Sequence, residues 1–197
     1  MPRPSVEAER RQQILTAACE VIATVGVPDL RLSDVAKTAG VSSGTVHYYF
    51  DTKKDVINAA FEFNLTESLN RRQALLSSTK SGLAILNDLV ESYLPKDDQS
   101  RRAWKVWLAL WAEATRDAHL RSVNEKLYGQ WRDVVSEVIR TAQREGSARP
   151  GNPVVLANML ISMLDGLAVQ VLLESGAVTL ASVRKTIKEF IRDVIAR

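Results

Sequence analysis

Residues 33–53, SDVAKTAGVSSGTVHYYFDTK, decide the fold. Two short helical patterns flank Gly40, and Val35, Ala36, Ala39, Val41, Val46 and Tyr49 fall where each pattern turns inward, so the two helices clamp together at a steep angle. Gly40 takes the tight bend, where the lack of a Cβ lets the chain turn back on itself. With Ser42 or Ser43 as N-cap, the second helix is predicted over 43–49. At about 100° per residue, turning Val46 inward sends Gly44 and Tyr48 to the opposite side and Thr45 and His47 to the flanks. That outward face is small and polar. Gly44 and Tyr48 would meet base edges, a hydroxyl and an imidazole would hold phosphates, and Lys53 would add a charge from the start of the next helix.

Working outward, Ile14, Leu15, Ala18, Val21, Ile22 and Val25 repeat at helical spacing and predict a helix over 7–25, ended by Gly26 and Pro28. Asp51 or Thr52 caps a longer helix from Lys53 toward Leu76. Beyond it, helical windows cover about 82–94, 100–115, 118–145, 153–175 and 179–196, with breaks at 77–81, 95–98, 146–151 and Gly176. No apolar run reads as strand-turn-strand. The expectation is an all-α protein of about nine helices, with an N-terminal helix-turn-helix domain over 1–52 and a helical effector-binding and dimerisation domain over 53–197.

Composition narrows the classes further. The 197 residues are 46% apolar and 25% charged, with a net charge of +3. Residues 1–54 hold seven Lys/Arg against six Asp/Glu, an excess of only +1, so DNA binding would lean on geometry, hydroxyls and aromatics more than on a basic field. A lone cysteine, Cys19, leaves no internal disulfide, and two histidines make no zinc site at conventional spacing. No metal or cofactor is expected, and no Ser/His/Asp or Cys/His grouping suggests an enzyme. The N-terminus lacks an apolar signal region and no later window reads as a membrane span, which predicts a cytoplasmic protein with no membrane partner. Asn64-Leu65-Thr66 matches a glycosylation sequon but sits within a helical pattern.

The segment AKTAGVSSGTVHYYFDTK, with the helix before it, resembles the TetR family of transcriptional regulators over residues 10–56. By that resemblance Ser43, Gly44, Thr45, His47, Tyr48, Tyr49 and Lys53 take the DNA-facing roles. His47 stands where the family usually has tyrosine, and Arg31 where it usually has the threonine that begins the second helix, leaving Ser33 as the replacement cap and a further candidate at the DNA. AWKVWLALWAEA, GQWRDVVSEVIRTAQREG and LISMLDGLAVQ resemble the C-terminal domain of the betaine-pathway, choline-responsive repressors within that family, over about 100–175. This implies the architecture; the domain type serves regulators of unrelated ligands.

Trp104, Trp107, Leu108 and Trp111 line a stripe about 100° wide on one helix. Such a stripe is either core or the wall of a pocket for an apolar or cationic effector. Asp165 lies amid Met159, Leu160, Ile161, Met163, Leu164, Leu167 and Val169, where a charge is costly unless paired. It is expected to pair with Arg or Lys, or else to face a polar cavity or interface. The last two helices are apolar over more than one face, as a four-helix interface between two subunits requires, and Leu164, Gly166, Val169, Ile187 and Phe190 are the candidate interface residues. A homodimer also suits DNA reading, since two small helices reach half-sites about one turn, roughly 34 Å, apart. The expectation is a dimeric regulator, most simply a repressor released from a pseudo-palindromic double-stranded operator by a small-molecule effector; the alternative is a dimeric DNA-binding regulator without an effector.

Overall fold

The computed structural model describes residues 6–197. Over them the chain forms nine α-helices and no strand: α1 Val6–Asp29, α2 Leu32–Ala39, α3 Ser43–Tyr49, α4 Lys53–Leu76, α5 Gly82–Tyr93, α6 Asp98–Ala114, α7 Ala118–Arg144, α8 Pro153–Leu172 and α9 Leu180–Phe190. A π-turn, Ile191–Ile195, ends α9, closed by the Ala196 N–H on the Ile191 carbonyl. The all-α expectation holds, and the breaks fall where Gly, Pro and Ser cluster.

Helix ends follow their cap residues. Asn152 accepts from the N–H groups of Val154 and Val155 ahead of Pro153, and Thr179 and Ser182 form a reciprocal capping box on α9. Thr52 and Asp55 do the same for α4: the Thr52 N–H reaches the Asp55 carboxylate at 2.9 Å and the Asp55 N–H reaches the Thr52 hydroxyl at 3.2 Å. Ser33 does not cap α2. The N-cap is Arg31, extended and without a side-chain bond, and Ser33 lies one residue inside the first turn, where its hydroxyl is too late in the chain to serve.

The chain gathers into two compact units, one of residues up to Ser68 with Arg102–Glu125, the other of Leu69–Arg101 with Lys126–Arg197. This is a different cut from a functional division after residue 52, because Val56, Ile57, Ala60, Phe61 and Leu65 of α4 are buried in the first unit along with Ile14, Ile22, Val35 and Val46. Asn64 is also buried there, its amide donating to the Ala103 carbonyl at 3.1 Å, so the sequon asparagine is a packing residue. The Cys19 thiol contacts the Ala60 carbonyl, and burial pushes its pKa up to about 12, keeping it neutral and unreactive.

The second unit packs α5, α7, α8 and α9 around Leu86, Leu89, Val135, Ile139, Leu160, Ile161, Leu164 and Ile187. Arg184 of α9 grips Glu91 of α5 through two hydrogen bonds of 2.9 and 2.6 Å, and this guanidinium holds the Glu91 carboxyl below its usual range. Two interface expectations are corrected here. Leu164 and Ile187 are each 1% exposed, within the core of the chain itself, and have no surface to give a partner. Helix α8 also corrects the reading of the membrane windows, since Pro153–Leu172 is long and apolar enough to cross a bilayer. Its Ala157, Leu160, Ile161, Leu164, Ala168 and Val171 face this protein core instead.

Candidate DNA interface and effector cluster

The α2–α3 pair is built by a helix stop and a helix start placed back to back. Gly40 is left-handed (φ 64°, ψ 34°), and its N–H and that of Val41 close onto the Lys37 and Ala36 carbonyls, which ends α2 as a Schellman turn. Two residues later the Ser42 hydroxyl accepts from the Thr45 N–H at 3.0 Å and starts α3. Val35, Ala36, Ala39 and Val46 are buried between the helices, Gln13 of α1 donates to the Ala39 carbonyl, and Arg11 lies 5.3 Å over the ring of the buried Phe50 that ends α3. Short as it is, α3 is fixed at both ends.

Its outward face matches the angular reading. Ser43, Gly44, His47 and Tyr48 are exposed, Thr45 and Tyr49 partly so, and Tyr48 is 75% exposed, unusual for a large aromatic side chain. Tyr49 meets Tyr48 edge to face at 5.1 Å and fixes the ring that points outward. Two candidate phosphate ligands already have partners. The Thr45 hydroxyl is 2.9 Å from that of Ser42, and the Lys53 ammonium donates to the Pro28 carbonyl at 2.9 Å, which leaves it two further N–H donors.

On α6, the tryptophan stripe divides. Trp104 is buried in the first unit, while Trp107 and Trp111 are half-buried. The Trp111 indole meets Trp104 edge to face at 6.1 Å and Trp107 at 6.2 Å, and its N–H donates to Asn124 at 2.9 Å.

Within the second unit, Asp165 of α8 accepts a hydrogen bond of 2.8 Å from the Tyr93 hydroxyl and a second from the Tyr128 hydroxyl. The expected Arg or Lys partner is replaced by two phenols. Burial raises the Asp165 pKa while both hydrogen bonds oppose the rise, and desolvation raises the two phenols in turn, so both phenolic protons stay on the tyrosines and the ionised form of Asp165 is poorly compensated for its burial. Tyr93 stacks on Trp131 at 5.1 Å and 12°, and Trp131 sits one turn beyond Tyr128 on α7. The Arg72 guanidinium lies 5.6 Å over Tyr93 and 5.2 Å over Trp131, bonded to Ser92, and its desolvation lowers its pKa to about 10. Tyr93, Tyr128, Trp131 and Arg72 escaped the sequence reading because they come from three helices; the one usable signal was Tyr128 and Trp131 at a three-residue spacing. Among the described residues no group of three or more His, Cys, Asp or Glu is placed to hold a metal ion.

A Schellman stop, a serine-capped second helix and an exposed phenol upon it define a helix-turn-helix DNA-binding regulator of transcription. Residues 14–60 match the bacterial regulatory proteins of the tetR family, and residues 84–196 match the C-terminal domain of BetI-type transcriptional repressors. The chain belongs to the TetR family and, by its C-terminal region, to the BetI type. The regulator BetI of Proteus mirabilis is 29% identical over 97% of this chain and 94% of its own length, and BetI of Ectopseudomonas mendocina is 30% identical over 70% and 75%. Among solved structures, a transcriptional regulator from Saccharomonospora viridis in complex with choline is 32% identical, with a TM-score of 0.88 over 96% of this chain and 98% of that one. A TetR-family regulator from a Rhodococcus species, at 24% identity, shares the fold with a TM-score of 0.85 over 95% of this chain and 99% of that one.

Proposed function

We propose that the protein is a dimeric repressor that leaves a pseudo-palindromic operator when a small onium ion binds at Asp165. The observation that carries this reading is the Asp165 carboxylate, buried at a cost and held, among the described residues, by the phenols of Tyr93 and Tyr128. All three residues keep partial exposure, so a ligand can reach them. A cation beside the carboxylate supplies the compensation that burial denies it, and aromatic faces attract a cation whose charge is spread over methyl groups. The choline bound by the Saccharomonospora viridis regulator supports the same ligand class.

On the DNA side, Gly44 and Tyr48 meet base edges, and Ser43, Thr45, His47, Tyr49 and Lys53 hold phosphates. The dimer brings two copies of α3 to adjacent half-sites. The effector releases DNA only through its higher affinity for the dimer form that does not fit the operator. Helix α4 is the continuous element that runs from beside α3 in the chain into the second unit, and it is the natural carrier of that change. As a regulator of transcription the protein works in the cytoplasm, where the DNA is.

The test is operator selection followed by a salt-controlled binding titration with and without choline. Release by choline at concentrations that leave Asp165→Asn bound to its operator supports the proposal. Binding to the operator that no onium ion alters favours the regulator without an effector.

A further inference from the structure

Within the second unit, the end of α4, the turn after it, the start of α5 and the later half of α7 enclose a groove of about 650 Å³. Small-molecule sites fall in the range of roughly 300–1,000 Å³. None of Arg72, Tyr93, Tyr128, Trp131 or Asp165 lines it, so it is separate from the aromatic cluster. Its floor is apolar: Ile85 and Val138 belong to the buried core of the unit, and Leu76 and Val134 pack against that core while keeping partial exposure. Its rim is acidic. Asp133, Glu137 and Thr141 recur every four residues along α7, and Glu145, just past its end, continues the line.

The charges on that rim do not cancel. Glu137 is taken up by Arg140 and Arg144, and the ammonium of Lys80, the one cation in the lining, is matched by Asp88 at 2.6 Å. Glu145 gives one oxygen to the Gly82 N–H at 2.8 Å and keeps the other. Asp133 is exposed, and among the described residues its carboxylate has no hydrogen bond or ion pair. The Ser78 hydroxyl, in the turn that forms the opposite wall, is buried and has no hydrogen-bond partner, a condition that folded proteins seldom leave without a reason. No aromatic side chain lines the groove, so the rings that attract a methylated cation are missing there, while oxygen acceptors are plentiful.

We infer that this groove is a second ligand site, for an amphiphilic amine whose cationic head carries N–H groups. Asp133 anchors the head by a charge-assisted hydrogen bond, the free oxygen of Glu145 adds to the negative field, and the hydrocarbon body lies on Leu76, Ile85, Val134 and Val138. The site therefore selects by N–H donors, which a quaternary ammonium ion lacks.

Calorimetry on the full chain tests this with octylamine and octyltrimethylammonium, which share chain and charge and differ in the N–H groups. The wild type takes up one octylamine per chain at least about tenfold more tightly than its trimethylated counterpart, the scale of a hydrogen bond to a charged group. In Asp133→Asn, a change at an exposed and unpartnered side chain, octylamine binds at least about tenfold more weakly and the preference narrows to within about twofold. In Asp165→Asn octylamine binds as in the wild type. Carbon-edited spectra of the wild type show the methyl resonances of Leu76, Ile85, Val134 and Val138 moving with octylamine. Equal affinities for the two cations, a preference that survives in Asp133→Asn, or many weakly held molecules per chain overturns the inference. So does a failure of octylamine to bind the wild type. Loss of the amine in Asp165→Asn, or methyl shifts confined to residues outside the groove, assigns the amine to another place and overturns it as well.

Discussion

Asp165 shows how one residue can be kept at a cost to stability. Its folded pKa lies above that of the unfolded chain, so between those two values the native state holds a proton that the unfolded state has lost, and stability falls as pH rises through the interval. In its ionised form the side chain is therefore a net burden. Asp165→Asn should melt at the same temperature as the wild type or a few degrees higher in a calorimetric scan, while its onium affinity falls at least about tenfold, the scale of losing a charge-assisted contact. A quaternary ligand does not titrate, so the pH dependence of its affinity reports the protein. Affinity should decline as pH falls, starting above the range of an ordinary aspartate, because burial has raised the group that must stay ionised. Tyr48 is the counterpart in the first unit. With three quarters of its surface exposed, it contributes little to packing. Tyr48→Ala should leave the melting temperature within about a degree, as surface changes usually do, yet reduce specific operator affinity at least about tenfold, read in a gel-shift or anisotropy titration at fixed salt.

Elements depend on a few close approaches that the chain cannot advertise. Gly82 opens α5 with its N–H bonded to the Glu145 carboxylate at 2.8 Å, and a Cβ there would stand 2.6 Å from the backbone nitrogen of Ala142 on α7. Backbone cannot yield as a side-chain tip can, so Gly82→Ala should lower stability by about 1–3 kcal/mol, measured by urea unfolding, even though alanine is the better helix former. The helices themselves were legible in the sequence because caps and breakers mark their ends: Ser42, Ser81, Asn152 and Thr179 stand where the apolar period begins, and Gly40, Pro95 and Gly176 where it stops. The α3 face was legible for a similar reason, since a seven-residue helix anchored by Val46 has one way to turn. Partners across helices were not. Periodicity places Asp165 on an apolar helix and predicts that something must compensate it, but the phenols of Tyr93 and Tyr128 lie 72 and 37 residues away in the chain. Helix α8 hides its orientation too, because it is apolar on both faces, and Leu164 looked as available to a partner as Met159.

At the scale of the whole molecule, that second face of α8 is what the single chain leaves uncovered. Val155 and Met159 are 51% and 47% exposed, Ser162 and Gly166 continue the same line at spacings of three and four residues, and Leu173, 68% exposed, stands just past its end. Gly166 has open space where a Cβ would point, which suits the close approach of a second helix. A run of this kind, apolar at its ends and small in the middle, is poorly suited to water and well suited to its own copy about a two-fold axis. Val169 and Phe190, both half-buried, flank it as candidate rim residues. Met159→Glu should place two carboxylates against each other across that axis and shift the protein to monomers in sedimentation, with each protomer still folded because Met159 contributes little to its core. Operator binding should then weaken by far more than any loss at α3 explains and become second order in protein concentration, since one copy of α3 makes too few base contacts to hold a half-site alone. A variant that stays dimeric with unchanged operator affinity would place the two-fold axis on another face, and the exposed line on α8 would need a different occupant.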